Sequence, residues 1–225
     1  LFFLNAGSMQ RLSYIGYRGA GHADGRSLGS YEAFKDFMSQ IPTPPIPANP
    51  RIDFSPLYDY HNRLFVGRTE VLDEVSTLIR SRPTGYLVLK ALAGMGKTAI
   101  MAQLYGRHSV PADETRAGDR GVFHFCMATD GRTSSVVALR SIIAQLCDHF
   151  DLNRKPYLSQ DIEELKDKLL PGVLNAAGKQ LGEGERIVIA IDALDEGIGA
   201  EKESIPNVLP VDIPEHVVFL VSYRV

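Results

Sequence analysis

The chain has 225 residues, of which 44% are hydrophobic and 23% are charged, and its formal net charge at pH 7 is -3. This composition is typical of a globular protein with an apolar core, and the lack of a basic excess argues against nucleic acid as the main partner. No apolar run is long enough to predict a membrane span, so no membrane partner is expected, and the first ten residues do not have the features of a signal peptide.

The sequence contains two cysteines, which are too few for a disulfide framework. Cys126 and Cys147 both lie in apolar runs. Reduced, buried thiols in a cytoplasmic protein are the simplest interpretation of this usage. We therefore expect a cytoplasmic location.

Residues 1–60 show little periodicity. Gly7-Ser8-Met9 resembles a cloning remnant ahead of a native methionine, and residues 41–50 (IPTPPIPANP) form a proline run typical of an extended linker. One short amphipathic helix is expected at 31–41. We expect residues 1–60 to be a tag remnant, a linker or the end of an upstream effector domain.

Residues 61–225 alternate between helical and strand patterns. Apolar residues at helical spacing predict helices, and short β-branched apolar runs predict strands. The predicted helices cover residues 70–80, 97–107, 134–150 and, with a stop or kink at Pro171, 159–181. The predicted strands cover residues 85–90, 121–128, 186–192 and 216–222. Continuous apolar strands separated by helices predict an α/β three-layer sandwich with a mostly parallel sheet.

The first strand leads through a glycine turn into a helix. Residues 91–98 (ALAGMGKT), called here the glycine loop, fit the phosphate-binding pattern G-x-x-x-x-G-K-[ST], except that Ala91 stands at the first glycine position. In such a loop, backbone N–H groups point into a concavity at a helix N-terminus, where the helix dipole favours anions. Because that first position needs a small residue more than a positive φ, alanine is a mild departure, and the loop predicts a nucleotide site.

The residues of the glycine loop have different expected roles. Gly94 and Gly96 supply backbone conformations and a close approach that a side chain would block. Lys97 would reach the β- and γ-phosphates, and the hydroxyl of Thr98 would ligate Mg²⁺. The residues expected to contact the nucleotide here are Ala91, Gly94, Met95, Gly96, Lys97, Thr98 and Ala99.

Carboxylates follow the third predicted strand. Asp192 ends the apolar run IVIAI, and Asp195 and Glu196 come three and four residues later. The C-terminal end of a neighbouring parallel strand is where a P-loop enzyme holds Mg²⁺ with a carboxylate, and a further acid can polarise the attacking water. A helix cap or turn would explain Asp192 alone but not this cluster. Which of Asp195 and Glu196 activates water stays open.

The fourth predicted strand ends in polar residues, Ser222 and Arg224. A polar residue and an arginine beside a γ-phosphate can sense the nucleotide state. A surface arginine at a strand end is the alternative interpretation. Because all these strand ends belong to one edge of a parallel sheet, we expect them to converge on one site.

Taken in order, five segments resemble the STAND class of P-loop NTPases, in particular NACHT-like bacterial members that act as sensors and in antiviral defence. The resemblance covers residues 64–225 and rests on LFVGRTE, ALAGMGKTA, GVFHFCMA, IVIAIDALDE and IPEHVVFLVSYR. Two positions besides Ala91 depart from the family. Thr69 stands where such proteins often have Glu, and Ser222-Tyr223-Arg224 replaces the usual Thr-Ser-Arg.

The resemblance implies a switch module that binds ATP or ADP with Mg²⁺, hydrolyses ATP slowly and controls the oligomerisation and activation of a linked effector. By position, Asp192 would be the Mg²⁺ acid, Asp195 or Glu196 would activate water, and Arg224 would be the first sensor. The segment implied to contact the adenine base is Phe65, Val66, Gly67 and Arg68.

Family members continue past the fourth strand with a fifth strand, a helical lid, a winged helix and usually a repeat array. We therefore expect residues 61–225 to be a truncated domain with a low ATPase rate, whose full-length form associates with itself. A non-catalytic scaffold with the same fold is the alternative. A metabolic P-loop kinase is disfavoured, because neither an acceptor-binding lid nor basic residues over the phosphates can be identified.

Overall fold

The computed structural model describes residues 50–108, 119–197 and 204–224. The expectations for residues 1–49, including the linker and the helix at 31–41, lie outside these ranges. The described strands form one parallel sheet in the order β1-β4-β3-β2. The strands are β1 (Gly85–Ala91), β2 (Arg120–Phe125), β3 (Ile187–Asp192) and β4 (Val217–Arg224). The predicted α/β fold with a parallel sheet is confirmed.

Strand β4 lies between β1 and β3, so the strand that carries Asp192 is not the direct neighbour of the strand before the glycine loop. The two strands with the most continuous apolar runs, β3 and β4, occupy the centre of the described sheet and are buried almost throughout. Strand β1 lies at an edge of the described sheet. Although its sequence is as apolar as that of a buried strand, β1 is only partly buried, and Val88 is 54% exposed.

Helices cover both faces of the sheet. Alternate residues of β4 point to opposite faces, so that Phe219 belongs to one apolar cluster and Leu220 to the other. The first cluster is covered by the later helices and the second by the earlier ones. The helices are α1 (Ser55–Leu64), α2 (Thr69–Ser81), α3 (Lys97–His108), α4 (Ser135–His149), α5 (Ile162–Glu164), α6 (Leu170–Gly178) and α7 (Ile205–Val208).

Two predictions about element ends differ most clearly from the structure. The strand predicted over 121–128 ends at Phe125, and a 3₁₀ turn follows at Ala128–Asp130. Pro171 does not end its helix but lies in the first turn of α6, directly after the π-helical segment Leu165–Leu169. Proline has no N–H to donate, and the hydrogen-bond pattern changes just before it, where the amide of Leu170 donates to the carbonyl of Leu165 in a wider π turn.

Helix α1 spans residues that the sequence analysis divides between the N-terminal segment and the domain. Phe54, at its N-cap, is 1% exposed and packs 4.9 Å from Phe125 between ring centroids. The ring of Tyr58 lies so close to Gly106 of α3 that a Cβ on that glycine would lie 2.3 Å from it. Helix α1 is therefore packed directly on α3, the helix that follows the glycine loop. No helix in the described ranges has the length and apolar content to cross a membrane.

Candidate functional site

The glycine loop forms a tight strand–turn–helix junction. Gly94 and Gly96 have φ of +74° and +83°, in the left-handed region that favours glycine. The amide of Ile100 donates to the carbonyl of Gly96 at 3.0 Å, which closes the first turn of α3. The amides of the last loop residues therefore stand at the N-terminus of a 12-residue helix, where an anion is favoured.

Lys97 stabilises the glycine loop through hydrogen bonds to its backbone. Its side chain is buried, and its Nζ donates to the carbonyls of Ala91 at 2.7 Å and of Leu92 at 2.9 Å. Ala91 thus takes part through its backbone carbonyl, which glycine would supply equally well. This geometry gives a physical reason why alanine fits the first position of the pattern.

Arg68 contacts the glycine loop from outside. It lies at the N-cap of α2 with φ of 60°, and its Nη1 donates to the carbonyl of Met95. The same guanidinium lies against Gly96, where a Cβ would be 3.1 Å from Nη1. In the segment 65–68, by contrast, Phe65 packs against the core beneath α1–α3, and Val66 is 90% exposed.

Asp192 is buried and held by β4. Its carboxylate accepts a hydrogen bond from the hydroxyl of Ser222, and that hydroxyl in turn accepts the amide of Ala193 at 3.0 Å. Burial raises the pKa of Asp192, although hydrogen bonds from Ser222 and Thr98 and the charge of Lys97 oppose the rise. Thr98 and Asp192, the two predicted Mg²⁺ ligands, thus lie close together.

Asp195 and Glu196 are both paired with Arg224. The guanidinium of Arg224 donates to Asp195 Oδ2 at 2.6 Å and to Glu196 Oε1 at 2.7 Å, and its amide donates to Asp195 Oδ1 at 3.1 Å. Partial burial raises the pKa of Asp195, but the hydrogen bonds from Arg224 outweigh it and the pKa is lowered. We call Asp192, Asp195 and Glu196 the acid corner.

The glycine loop and the acid corner face each other across a cavity of about 400 Å³. Three of the residues that line it come from outside the sites that the sequence analysis assigns: His61 of α1, Ala93 and Ala193. The lining residues are His61, Ala93, Gly94, Gly96, Lys97, Thr98, Ala99, Asp192, Ala193, Asp195, Glu196, Ser222 and Arg224. Residues 65–68, Ala91 and Met95 do not line it, and no sequence motif marks His61.

The donor chemistry near Thr98 fits a hard divalent cation. Mg²⁺ prefers oxygen ligands and is typically held by one or two protein groups together with substrate phosphates and water. The hydroxyl of Thr98 and the carboxylate of Asp192, close together on one cavity, provide such a pair. Within the described ranges, no cluster of three or more His, Cys, Asp or Glu side chains is arranged to hold a metal without further ligands.

The two cysteines are free and buried, as predicted. Burial raises the pKa of Cys126 to about 12, with a further contribution from the charges of the acid corner. It raises the pKa of Cys147 to about 11. Both thiols are therefore protonated at neutral pH and are poor nucleophiles.

Residues 72–214 match the family model described as "Nephrocystin 3, N-terminal". The match covers more than half of the chain, and the chain belongs to this family. No curated protein is similar enough to the chain to count as a match.

Proposed function

We propose that this member of the nephrocystin 3 N-terminal family binds ATP or ADP with Mg²⁺ in the cavity between the glycine loop and the acid corner. One observation carries the proposal. Side chains and amides from three separate parts of the sequence, near residues 94–99, 192–196 and 222–224, line a single cavity. A glycine turn that arose by chance would not be expected to lie opposite the acid corner across one cavity.

The phosphates would occupy the concavity at the N-terminus of α3. There the amides of the glycine loop supply donors, and the helix dipole favours negative charge. Lys97 would exchange its hydrogen bonds with the carbonyls of Ala91 and Leu92 for charge-assisted contacts with phosphate oxygens. Its ammonium group already lies within the loop, so this exchange needs only a small movement.

Thr98 and Asp192 are the residues that would hold Mg²⁺. When bound, the cation would neutralise charge on the phosphates. Asp192 suits this role because Ser222 and Thr98 fix the position of its carboxylate. Because its burial disfavours the unpaired anion, a cation beside it would also stabilise the ionised form.

We propose slow hydrolysis of ATP, in which Asp195 or Glu196 activates water and Arg224 contacts the γ-phosphate. The guanidinium of Arg224 donates to one oxygen of each acid, Asp195 Oδ2 and Glu196 Oε1, so the general base would act through the carboxylate oxygen that this guanidinium does not engage. A module of this kind suits the STAND-like, NACHT-like switch that the sequence resembles. There, nucleotide state would control self-association and a linked effector, in signalling or antiviral defence within the cytoplasm.

A non-catalytic, nucleotide-binding scaffold is the second candidate. The same ion pairs favour it, because both candidate bases are already paired with Arg224. In that case ATP would bind and persist, and its role would be to hold the domain in one conformation.

Isothermal titration of Mg-ATP into wild type and Lys97→Ala tests the proposed site. We expect the substitution to reduce affinity by about 100-fold or more, because it removes charge-assisted contacts with two phosphates. Lys179→Ala, which removes an exposed lysine at the end of α6, is the control for charge and should bind as wild type does. Equal affinity in wild type and Lys97→Ala would overturn the assignment of the glycine loop.

ATP turnover separates the two candidates. If the domain is an ATPase, Asp195→Asn or Glu196→Gln should bind ATP but lose turnover, because ground-state contacts persist while transition-state stabilisation is lost. Wild-type turnover in both variants would contradict a catalytic role for the acids. Comparing ATP with GTP tests the base contact, since equal affinities would argue against base recognition by residues 65–68.

A further inference from the structure

The cavity has few side-chain donors available for an anion. Asp192, Asp195 and Glu196 add negative charge, and Arg224 is paired with two of them. Lys97 therefore carries most of the positive charge toward a phosphate chain. Besides Lys97 and Arg224, one more side chain with an N–H donor lines the same cavity, and it is His61.

The packing of α1 explains how His61 reaches the cavity. Tyr58 packs on Gly106, and one turn later Asn62 accepts a hydrogen bond from Gln103 at 3.2 Å. Further along the chain, Arg68 reaches the carbonyl of Met95. The segment thus advances toward the N-terminus of α3 as its residue number rises, and His61 comes from the last turn of α1.

The imidazole of His61 is half-buried, and its ring meets that of Tyr60 edge-on at 5.2 Å between centroids. Among the residues that the structure describes, none makes a hydrogen bond or an ion pair with it. An imidazole carries at least one N–H donor in either protonation state. His61 is therefore positioned as a donor toward whatever anion fills the cavity.

We infer that His61 is a phosphate-binding residue of this site, donating a hydrogen bond to the polyphosphate chain of the bound nucleotide. This inference rests on the proposed function and extends it to a residue outside the glycine loop. Helix α1 would then be part of the nucleotide site rather than only a cover for the core. A residue that contacts phosphate should affect the affinity of any ligand with a polyphosphate chain, whether or not that ligand carries a nucleoside.

The test compares Mg-ATP, Mg-tripolyphosphate and adenosine by isothermal titration. His61→Ala should weaken both phosphate ligands about tenfold, which corresponds to about 1.4 kcal/mol. His61→Gln, which keeps an N–H donor, should recover most of the loss. Arg63→Ala is the matched control, because it removes a cation two residues away on the same helix that does not line the cavity.

Each other outcome gives a definite answer. If His61→Ala binds both phosphate ligands as wild type does while Lys97→Ala loses them, the role of His61 is wrong and the nucleotide site stands. If ATP weakens but tripolyphosphate does not, His61 contacts the nucleoside, which overturns the phosphate role. Equal losses of phosphate affinity in Arg63→Ala and His61→Ala would mean that a general loss of positive charge on α1, and not a contact from His61, explains the effect. This result would overturn the role of His61. If wild type binds neither ligand, the proposed function itself fails.

Discussion

The glycine loop and the acid corner form two sides of one cavity, but the chain builds them differently. The loop is a continuous segment, and its internal contacts, such as those from Lys97 to Ala91 and Leu92, span only five or six residues. The acid corner, by contrast, is held by partners on β4, since Asp195 and Arg224 are 29 residues apart and Asp192 and Ser222 are 30 apart. A local segment largely determines its own geometry, whereas the carboxylates of the acid corner are held in place only once β3 and β4 are paired.

After Lys97→Ala, the largest effect should come from distorting the backbone of the glycine loop. Gly96→Ala places a Cβ 3.1 Å from Arg68 Nη1 in a residue whose φ is +83°. We expect ATP affinity to fall about 20-fold, because an L-residue is strained at this φ and the donors at the start of α3 would shift. Titration with Mg-ATP measures the change.

Gly184→Ala is the matched control for that substitution. Gly184 has φ of +79°, but no atom lies within 4 Å of the position that a Cβ would take. The Gly184→Ala variant should therefore lose stability through backbone strain but bind ATP with the affinity of wild type. Loss of affinity in both variants would mean that strain anywhere in the domain, rather than loop geometry, controls binding.

Arg224→Ala should leave Asp195 and Glu196 without their ion-pair partner but should not disturb the glycine loop. We expect ATP turnover to fall about tenfold while ATP affinity changes little, because the positive charge near the transferred phosphoryl group is lost. Arg120→Ala is the control, since Arg120 is equally exposed and pairs with Glu185 at 3.8 Å at the start of β2. A tenfold loss of affinity in Arg224→Ala would show that the two sides of the cavity are not separable in this way.

Ser222→Ala should have a smaller and more specific effect. Removing the hydroxyl leaves Asp192 without one hydrogen bond and the amide of Ala193 without an acceptor. We expect a loss of about 1–3 kcal/mol in the free energy of unfolding. We also expect a severalfold rise in the Mg²⁺ concentration needed for half-maximal ATP binding, because the carboxylate is less well positioned.

Two variants distinguish a positioning role of Ser222 from a merely structural one. Ser222→Thr keeps the hydroxyl and should restore the Mg²⁺ dependence. Ser141→Ala removes another fully buried hydroxyl, one that accepts a hydrogen bond from Gln145 within α4, and should lower stability alone. An unchanged Mg²⁺ dependence in Ser222→Ala would contradict the positioning of Asp192.

The smallest effect should come from Ala91→Gly. Lys97 uses the backbone carbonyl of Ala91, and the glycine variant retains that carbonyl. We expect a change in ATP affinity of less than about threefold, since one small residue replaces another and no charge-assisted contact is lost. A large gain would indicate that alanine impairs the loop and would favour the non-catalytic scaffold.

These contrasts also explain how much the sequence could predict. Periodicity places the four strands and most long helices, and the pattern from Ala91 to Thr98 identifies the loop. The position of β4 between β1 and β3 depends on tertiary packing and cannot be predicted from any local sequence pattern. Arg224 and the acids are recognisable by residue type at strand ends, but their mutual pairing depends on the register of β3 and β4.

Helix α1 and His61 are the clearest omissions of the sequence analysis. The helix is mostly polar, and only contacts such as Phe54 with Phe125 and Tyr58 with Gly106 fix it on the core. Because a proline-rich run precedes it, residues 55–60 are assigned with the linker, although they form the first part of α1. Because the contribution of His61 depends on this packing, no sequence motif could have indicated it.

Phosphate binding at the glycine loop can be measured by amide hydrogen exchange of the wild-type chain with and without Mg-ATP. Binding should slow exchange in peptides that span residues 91–99, because their amides become donors to phosphate. Peptides from α6, which does not line the cavity, should exchange at the same rate in both samples. Unchanged exchange over 91–99 at an ATP concentration that saturates binding would show that the phosphates do not bind at the glycine loop.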